Sequence, residues 1–157
     1  MKDFINIKFD LSKNPTTAQQ KGESIIHGRI HHYEKENVSA CRHEYETKLR
    51  QSLAAQGITP PRVVALKSGR PIFDEFLTEQ PVALMVDFYI QVKDKNKWGQ
   101  FCAAENRGDL DNLEKLLLDA MTNIGIWKDD SRVVLKMSRK KWAERPSVEI
   151  TIQEAKT

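Results

Sequence analysis

GDLDNLEKLLLDAMTNIGIWKDD, residues 108–130, decides the reading of this chain. Leu113, Leu116, Leu117, Ala120, Met121 and Ile124 recur at helical spacing and make one apolar stripe, which predicts an amphipathic helix with a buried face. Asp111 followed by Glu114 three residues later reads as a capping box at its start. Gly125 reads as its stop. Upstream, Val82, Leu84, Val86, Phe88, Ile90 and Val92 alternate after Pro81, the clearest strand pattern in the chain. Downstream, Val133, Leu135 and Met137 alternate in one strand and Val148, Ile150 and Ile152 in a second, joined by the turn-prone Glu144-Arg145-Pro146-Ser147.

Further out, residues 4–9 are short, apolar and β-branched and read as a strand. Residues 12–28 carry Pro15, Gly22 and Gly28 among polar residues and read as a loop. A second short strand is expected from Gly28 to Tyr33. Val38, Cys41, Tyr45, Leu49, Leu53 and Gln56 share one helical stripe, closed by Gly57, Pro60 and Pro61. Residues 57–80 carry the weakest pattern, with a strand expected over Arg62 to Leu66. Lys93 to Gln100 reads as a polar turn and Phe101 to Ala104 as a resumed strand. No repeat or linker divides residues 1–157. The expectation is one α+β domain, a mixed sheet packed against two main helices.

A length of 157 residues suits a single modest core. No apolar run is long enough to span a bilayer, so no membrane partner is expected. MKDFINIKFD lacks the apolar core of a secretory signal, and Cys41 and Cys102 stand apart without zinc spacing, so a reducing cytoplasm is the expected location. The net charge is only +3. Its distribution is more telling: Lys128, Arg132, Lys136, Arg139, Lys140, Lys141 and Arg145 face only Asp129, Asp130 and Glu144 in that segment, an excess that fits a polyanion partner. The plain alternative is a solubilising face.

Asp109 and Asp111 flank the helix start, where backbone N–H groups favour acids. Capping occupies one carboxylate and leaves the other unexplained, together with Asp129 and Asp130 beyond the helix's far end. If Asp130 folds back to Asp109 and Asp111, three carboxylates converge, and without a cation one of them must take up a proton. Oxygen donors with no Cys or His nearby select Mg²⁺, or Mn²⁺, over Zn²⁺. Asp111, Lys115 and Asp119 follow at i, i+4 and i+8 on the face away from the leucines, where ordinary solvated ion pairs are the plain reading. His27 and His31 are four apart, but Gly28 interrupts them and no HExxH context is present, so no metal site is expected there. Trp127 reads as core or dimer contact, and Trp98, in a polar turn, as a contact for DNA or a partner.

The run Asp109-Leu110-Asp111-Asn112, Lys115, Asp119 and the ending Trp127-x-Asp129-Asp130, at these distances, resembles the RusA family of Holliday junction resolvases, often carried by phages and prophages. The resemblance is strongest from Val82 to Ile152, with a weaker match from Pro15 to Leu53. It implies a small homodimeric α/β fold that cuts four-way DNA by paired symmetric nicks with Mg²⁺. By the resemblance, the principal catalytic and metal-holding acids fall on Asp109, Asp111 and Asp130, with Asp129 a supporting acid of the metal set. The catalytic lysine falls on Lys115, and Asp119 is a supporting residue behind it. Lys128, Arg132, Lys136, Arg139, Lys140 and Lys141 are then the expected phosphate contacts. Two departures stand out: Gln19-Gln20-Lys21-Gly22-Glu23 is poor in the arginines common in that loop of the family, and residues 57–80 are longer than in its smallest members. Rival readings are a branched-DNA-binding module without catalysis, a nuclease preferring flaps or forks, and a protein that binds a cation only to fold.

Overall fold

Val82, Leu84, Val86, Phe88 and Ile90 are all buried on one face of a ten-residue strand, and the rest of the molecule is arranged around that face. In the computed structural model, which describes residues 4–17 and 21–156, the chain runs through β1 (Phe4–Asp10), β2 (Lys21–Ile26), β3 (Arg29–Glu34), α1 (Glu36–Ala55), β4 (Val63–Lys67), β5 (Arg70–Phe73), β6 (Val82–Gln91), α2 (Leu110–Asn123), β7 (Val133–Ala143) and β8 (Ser147–Glu154). The main sheet has the order β1-β8-β6-β7. β8 is antiparallel to both β1 and β6, while β7 is parallel to β6, so the sheet is mixed as expected. Adjacent parallel strands require a crossover, and α2 supplies it.

Both helices lie on one face of this sheet. Ile5, Ile7 and Phe9 of β1 and Val148, Ile150 and Ile152 of β8 join the β6 row in a single core with Val38, Tyr45, Leu49 and Leu53 of α1 and Leu113, Leu116, Leu117 and Met121 of α2. Fully burying each such side chain contributes about 1.5–3 kcal/mol. The opposite face of the sheet carries polar cross-strand contacts. Asn6 donates to the Thr151 hydroxyl at 3.0 Å, and Arg139 grips Asp87 through two hydrogen bonds of 2.6 and 2.8 Å.

Several expectations need correction. The stretch read as a loop over residues 12–28 contains β2, which pairs with β3 across His27 and Gly28, both with positive φ; Gln19 and Gln20 lie outside the described residues. Residues 57–80 hold a second hairpin, β4 and β5, turning at Ser68 and Gly69, again both with positive φ. Phe101 forms only an isolated bridge to Lys141 in place of a strand. The alternation of Val133, Leu135 and Met137 is broken by a bulge. Val133 packs on the core, whereas Leu135 and Met137 pair with Ala83 and Met85 on the exposed face. Gln56 stands exposed at the end of the α1 stripe, its side-chain amide donating to the Asn6 carbonyl.

The β4–β5 hairpin docks on the end of α2 through Phe73 against Gly125, whose φ is +81°, and through the backbone bonds Leu77 N–H to Gly125 O and Thr78 N–H to Ile126 O, each 3.0 Å. A Cβ at position 125 would stand 2.8 Å from the Phe73 ring. Gly125→Ala is therefore expected to destabilise the chain by about 1–3 kcal/mol, from backbone strain and the displaced ring together. Urea unfolding measures it, and a loss under about 0.5 kcal/mol would show that the hairpin does not hold that contact in solution.

Candidate active site

Gly108 sets up the acidic loop. Its φ of +83° is a left-handed conformation, and a Cβ there would stand 2.5 Å from the Thr17 methyl, so only glycine fits. The chain then enters α2 with Asp109 at the N-cap position, and Asp111 lies in the first turn. The expected capping box is absent. Asp109 makes no side-chain bond to the helix N–H groups, and Glu114 is buried on the leucine face, where its carboxylate meets the Lys136 ammonium at 2.5 Å. Burial of the leucine stripe carries Glu114 inward, and a buried carboxylate needs a cation more than a helix end needs a cap.

Among the described residues, neither Asp109 nor Asp111 has a side-chain hydrogen bond or an ion pair, and both are exposed. Lys115 is exposed one turn further along, and no ion pair joins it to Asp111. The chain thus presents two carboxylates and an ammonium at the open N-terminal end of α2, where the positive end of the helix dipole favours the carboxylates. Lys140 braces this end from β7, its ammonium donating to the Gly108 carbonyl at 2.6 Å.

Asp129 and Asp130 sit elsewhere. Asp129 accepts from the Ser131 N–H at 2.8 Å and caps the short 3₁₀ turn over residues 130–132. The hydrogen bonds from Ser131 hold its carboxyl below the usual range, and Arg132 and Lys128 add to the effect. Asp130 is exposed at the entrance to β7. The fourteen residues of α2 rise about 21 Å. β7 runs back beside the helix, with Lys136 meeting Glu114 and Lys140 meeting Gly108. The seven steps from Lys140 back to Val133 cover about 23 Å. Asp130 therefore lies toward the far end of α2 from Asp109 and Asp111. Among the described residues, no group of three Asp, Glu, His or Cys side chains is placed to hold a metal ion. One chain offers an oxygen-only pair suited to a hard cation such as Mg²⁺, but not a closed set of ligands.

Asp119 has a polar partner and lines an open cavity of about 790 Å³ with Arg42, Arg70, Phe73, Phe76 and Lys128, on the Asp130 side of the helix. Of the basic residues expected at DNA, Lys136, Arg139 and Lys140 are engaged inside the chain by Glu114, Asp87 and the Gly108 carbonyl. Lys141 lies over the Phe101 ring at 6.0 Å, while Lys128 and Arg132 are exposed around Asp129. Trp127 is fully buried and donates to the Thr122 hydroxyl, and the indole of Trp98 donates to the Val92 carbonyl, so the ring N–H of each is committed within the fold. The sequence reading gave Glu114 a capping role and missed its pairing with Lys136, the constraint at Gly108 and the Asp87–Arg139 pair. Glu114 was detectable as a charge on the leucine stripe, one residue after Leu113 and three before Leu117.

Comparison with known proteins identifies the family. The family model described as endodeoxyribonuclease RusA matches residues 12–153. A protein of Lactococcus phage r1t, described as a crossover junction endodeoxyribonuclease, is 33% identical over 147 residues, covering 94% of this chain and 95% of its own length.

Removing the Lys136 ammonium strands a buried carboxylate. Lys136→Met is expected to destabilise the chain by about 1–2 kcal/mol near neutral pH, a modest figure because the lysine is half-exposed. Adding Glu114→Gln should return most of that loss. A double-mutant cycle in urea measures the coupling, and additive effects would reject the pairing.

Proposed function

Because the chain belongs to the RusA family of endodeoxyribonucleases, we propose that two copies of it resolve four-way DNA junctions by paired symmetric cuts in the presence of Mg²⁺, with Mn²⁺ as a substitute. The observation that carries this reading is the pair Asp109 and Asp111. These exposed carboxylates have no side-chain partner among the described residues, and Asp111 stands one turn from Lys115 at the mouth of α2. Asp109 and Asp111 hold the cation from one protomer. Asp130, which lies toward the other end of α2 in its own chain, joins them from the partner, with Asp129 stiffening the turn that presents it. When bound, the ion supplies Lewis-acid polarisation of the phosphate and lowers the pKa of the attacking water. Lys115 places its ammonium beside the scissile phosphate and stabilises the extra negative charge of the transition state. Lys140 fixes the Gly108 carbonyl, and with it the direction in which Asp109 points.

Phosphate contacts fall first to Lys128, Arg132 and Lys141. Lys136, Arg139 and Lys140 act on DNA indirectly, by holding the strand and the acidic loop in place. Binding titrations at several salt concentrations separate these roles. Arg132→Ala should lower the slope of log K against log salt by about one contact, and Lys140→Ala should leave the slope unchanged. A slope that falls equally in both variants would return Lys140 to the DNA surface.

Asp111→Asn keeps the side-chain volume and removes the charge. It should abolish Mg²⁺-dependent nicking of a labelled four-way junction while leaving junction binding and folding near native. Full activity in that variant would reject the site. Mixing inactive Asp111→Asn with inactive Asp130→Asn distinguishes a shared site from one built within a chain. In the mixed pair one site carries both changes and the other carries neither, so single-strand nicking returns. If each chain built its own site, the mixture would stay inactive. Flap, fork and linear duplex DNA in the same assay define the preferred branch structure.

A further inference from the structure

We propose that the outer edge of β7, centred on Lys136, is the seam along which two copies of this chain pair, edge to edge and antiparallel. The inference rests on the paired-chain reading above and names the surface that makes the pair. β7 is the last strand of the sheet, with β6 as its sole strand neighbour among the described residues. Its far end is covered: Cys102 N–H donates to Lys140 O at 2.8 Å, Trp142 N–H to Gln100 O at 2.9 Å, and Gly99 N–H to Trp142 O at 2.8 Å. These bonds show that Lys140 and Trp142 turn their backbone groups outward. Strand alternation then turns those of Ser138 and Lys136 outward as well, and among the described residues no strand meets them. An edge this long, with open donors and acceptors, is a template for another strand.

The side chains match the same register. Pairing centred on Lys136 sets the two outward-facing Lys136 residues opposite each other, where they exchange both N–H to O bonds across the two-fold axis. Leu135 then falls opposite the partner's Met137 in a close non-hydrogen-bonded pair on the exposed face, and Met137 opposite the partner's Leu135. Leu135 is 63% exposed, Met137 50% and the neighbouring Met85 39%. The duplicated patch is thus apolar and continuous through the axis. The one repulsive element, a lysine facing its copy, is neutralised in advance because each Lys136 ammonium is held by Glu114 of its own chain. A register centred on an odd-numbered residue would put a non-hydrogen-bonded pair at the axis and shift the axis off the midpoint of the free edge. The uncovered stretch, residues 133–139, has Lys136 as its midpoint. In this arrangement the entrance to one β7 lies beside the end of the other, so Asp130 approaches the partner loop that carries Asp109 and Asp111.

Two measurements on the full-length chain test the seam. Met137→Glu places like charges against the apolar patch of both copies. Sedimentation should show its dimer dissociation constant raised by about tenfold or more, with an unchanged circular dichroism spectrum because the residue is already half-exposed in one chain. An undiminished dimer would overturn the seam. Independently, chains carrying Leu135→Cys and chains carrying Met137→Cys are mixed and oxidised. The mixture should form a disulfide-linked dimer faster than either variant alone or the native chain, since only the mixed pair brings the two thiols directly opposite. Equal rates would overturn the proposed register. A native chain that sediments as a monomer while cutting junctions would remove both the seam and the paired-chain reading, whereas an intact dimer that fails these two tests removes the seam alone.

Discussion

Two neighbouring parallel strands cannot be joined by a short turn, and this constraint on β6 and β7 governs the rest of the molecule. The connection must travel back the length of the sheet, so it becomes α2, fourteen residues laid on the buried face. Its leucines complete the core, and its two ends carry the candidate acids. Asp109 and Asp111 stand where the chain enters the helix, and Asp130 stands where it has left the helix and is about to begin β7. The crossover that makes the fold stable also keeps the acids apart. No rotamer change closes a gap of the order of a helix length, which is why the proposed site draws its third carboxylate from a second chain.

The same crossover explains how the basic residues of β7 are used. A strand lying beside a helix presents alternate side chains to it. Lys136 meets Glu114, and Lys140 reaches the carbonyl before the first turn. The other face presents Arg139, which closes on Asp87 one strand over. Each of these cations answers a buried or partly buried oxygen, and leaving that oxygen unpaired would cost more than a surface phosphate contact returns. A cluster of positive charge in sequence thus resolves into a structural set along the middle of β7 and an exposed set around the turn at 128–132.

Much of this was legible in the sequence because it depends on local periodicity. The stripe from Leu113 to Ile124 and the alternation from Val82 to Ile90 each carry one period over several repeats, and burial follows period. The two-strand hairpins were harder because a loop-rich composition masked them. In both, a two-residue turn ending in glycine, His27-Gly28 and Ser68-Gly69, was the readable signal. The bulge before Leu135 and the fate of Glu114 were not legible from spacing. A bulge changes which face a residue meets, and a carboxylate three residues past an Asp looks the same whether it caps or is drawn inward to a lysine twenty-two positions later. Asp109, Asp111, Lys115 and Asp130 were named as candidates from the sequence; their distribution over two ends of a helix was not legible, because it depends on which strands pair.

Symmetry ties the chemistry to the edge of the sheet. Paired cuts on a four-way junction call for two equivalent sites related by a two-fold axis, and a closed two-fold interface must be self-complementary. The outer edge of β7 satisfies that condition in three independent ways: outward backbone at its midpoint, apolar residues on either side of the midpoint that face each other when the strand is reversed, and a central lysine already neutralised from within. Antiparallel reversal about Lys136 also exchanges the ends of β7, which is the operation needed to carry Asp130 of the partner subunit to the helix mouth. A single geometric step extends the four-stranded sheet to eight, covers an exposed apolar edge and brings the separated acids into the same neighbourhood. In this arrangement a chain by itself folds fully and carries half of each cutting site.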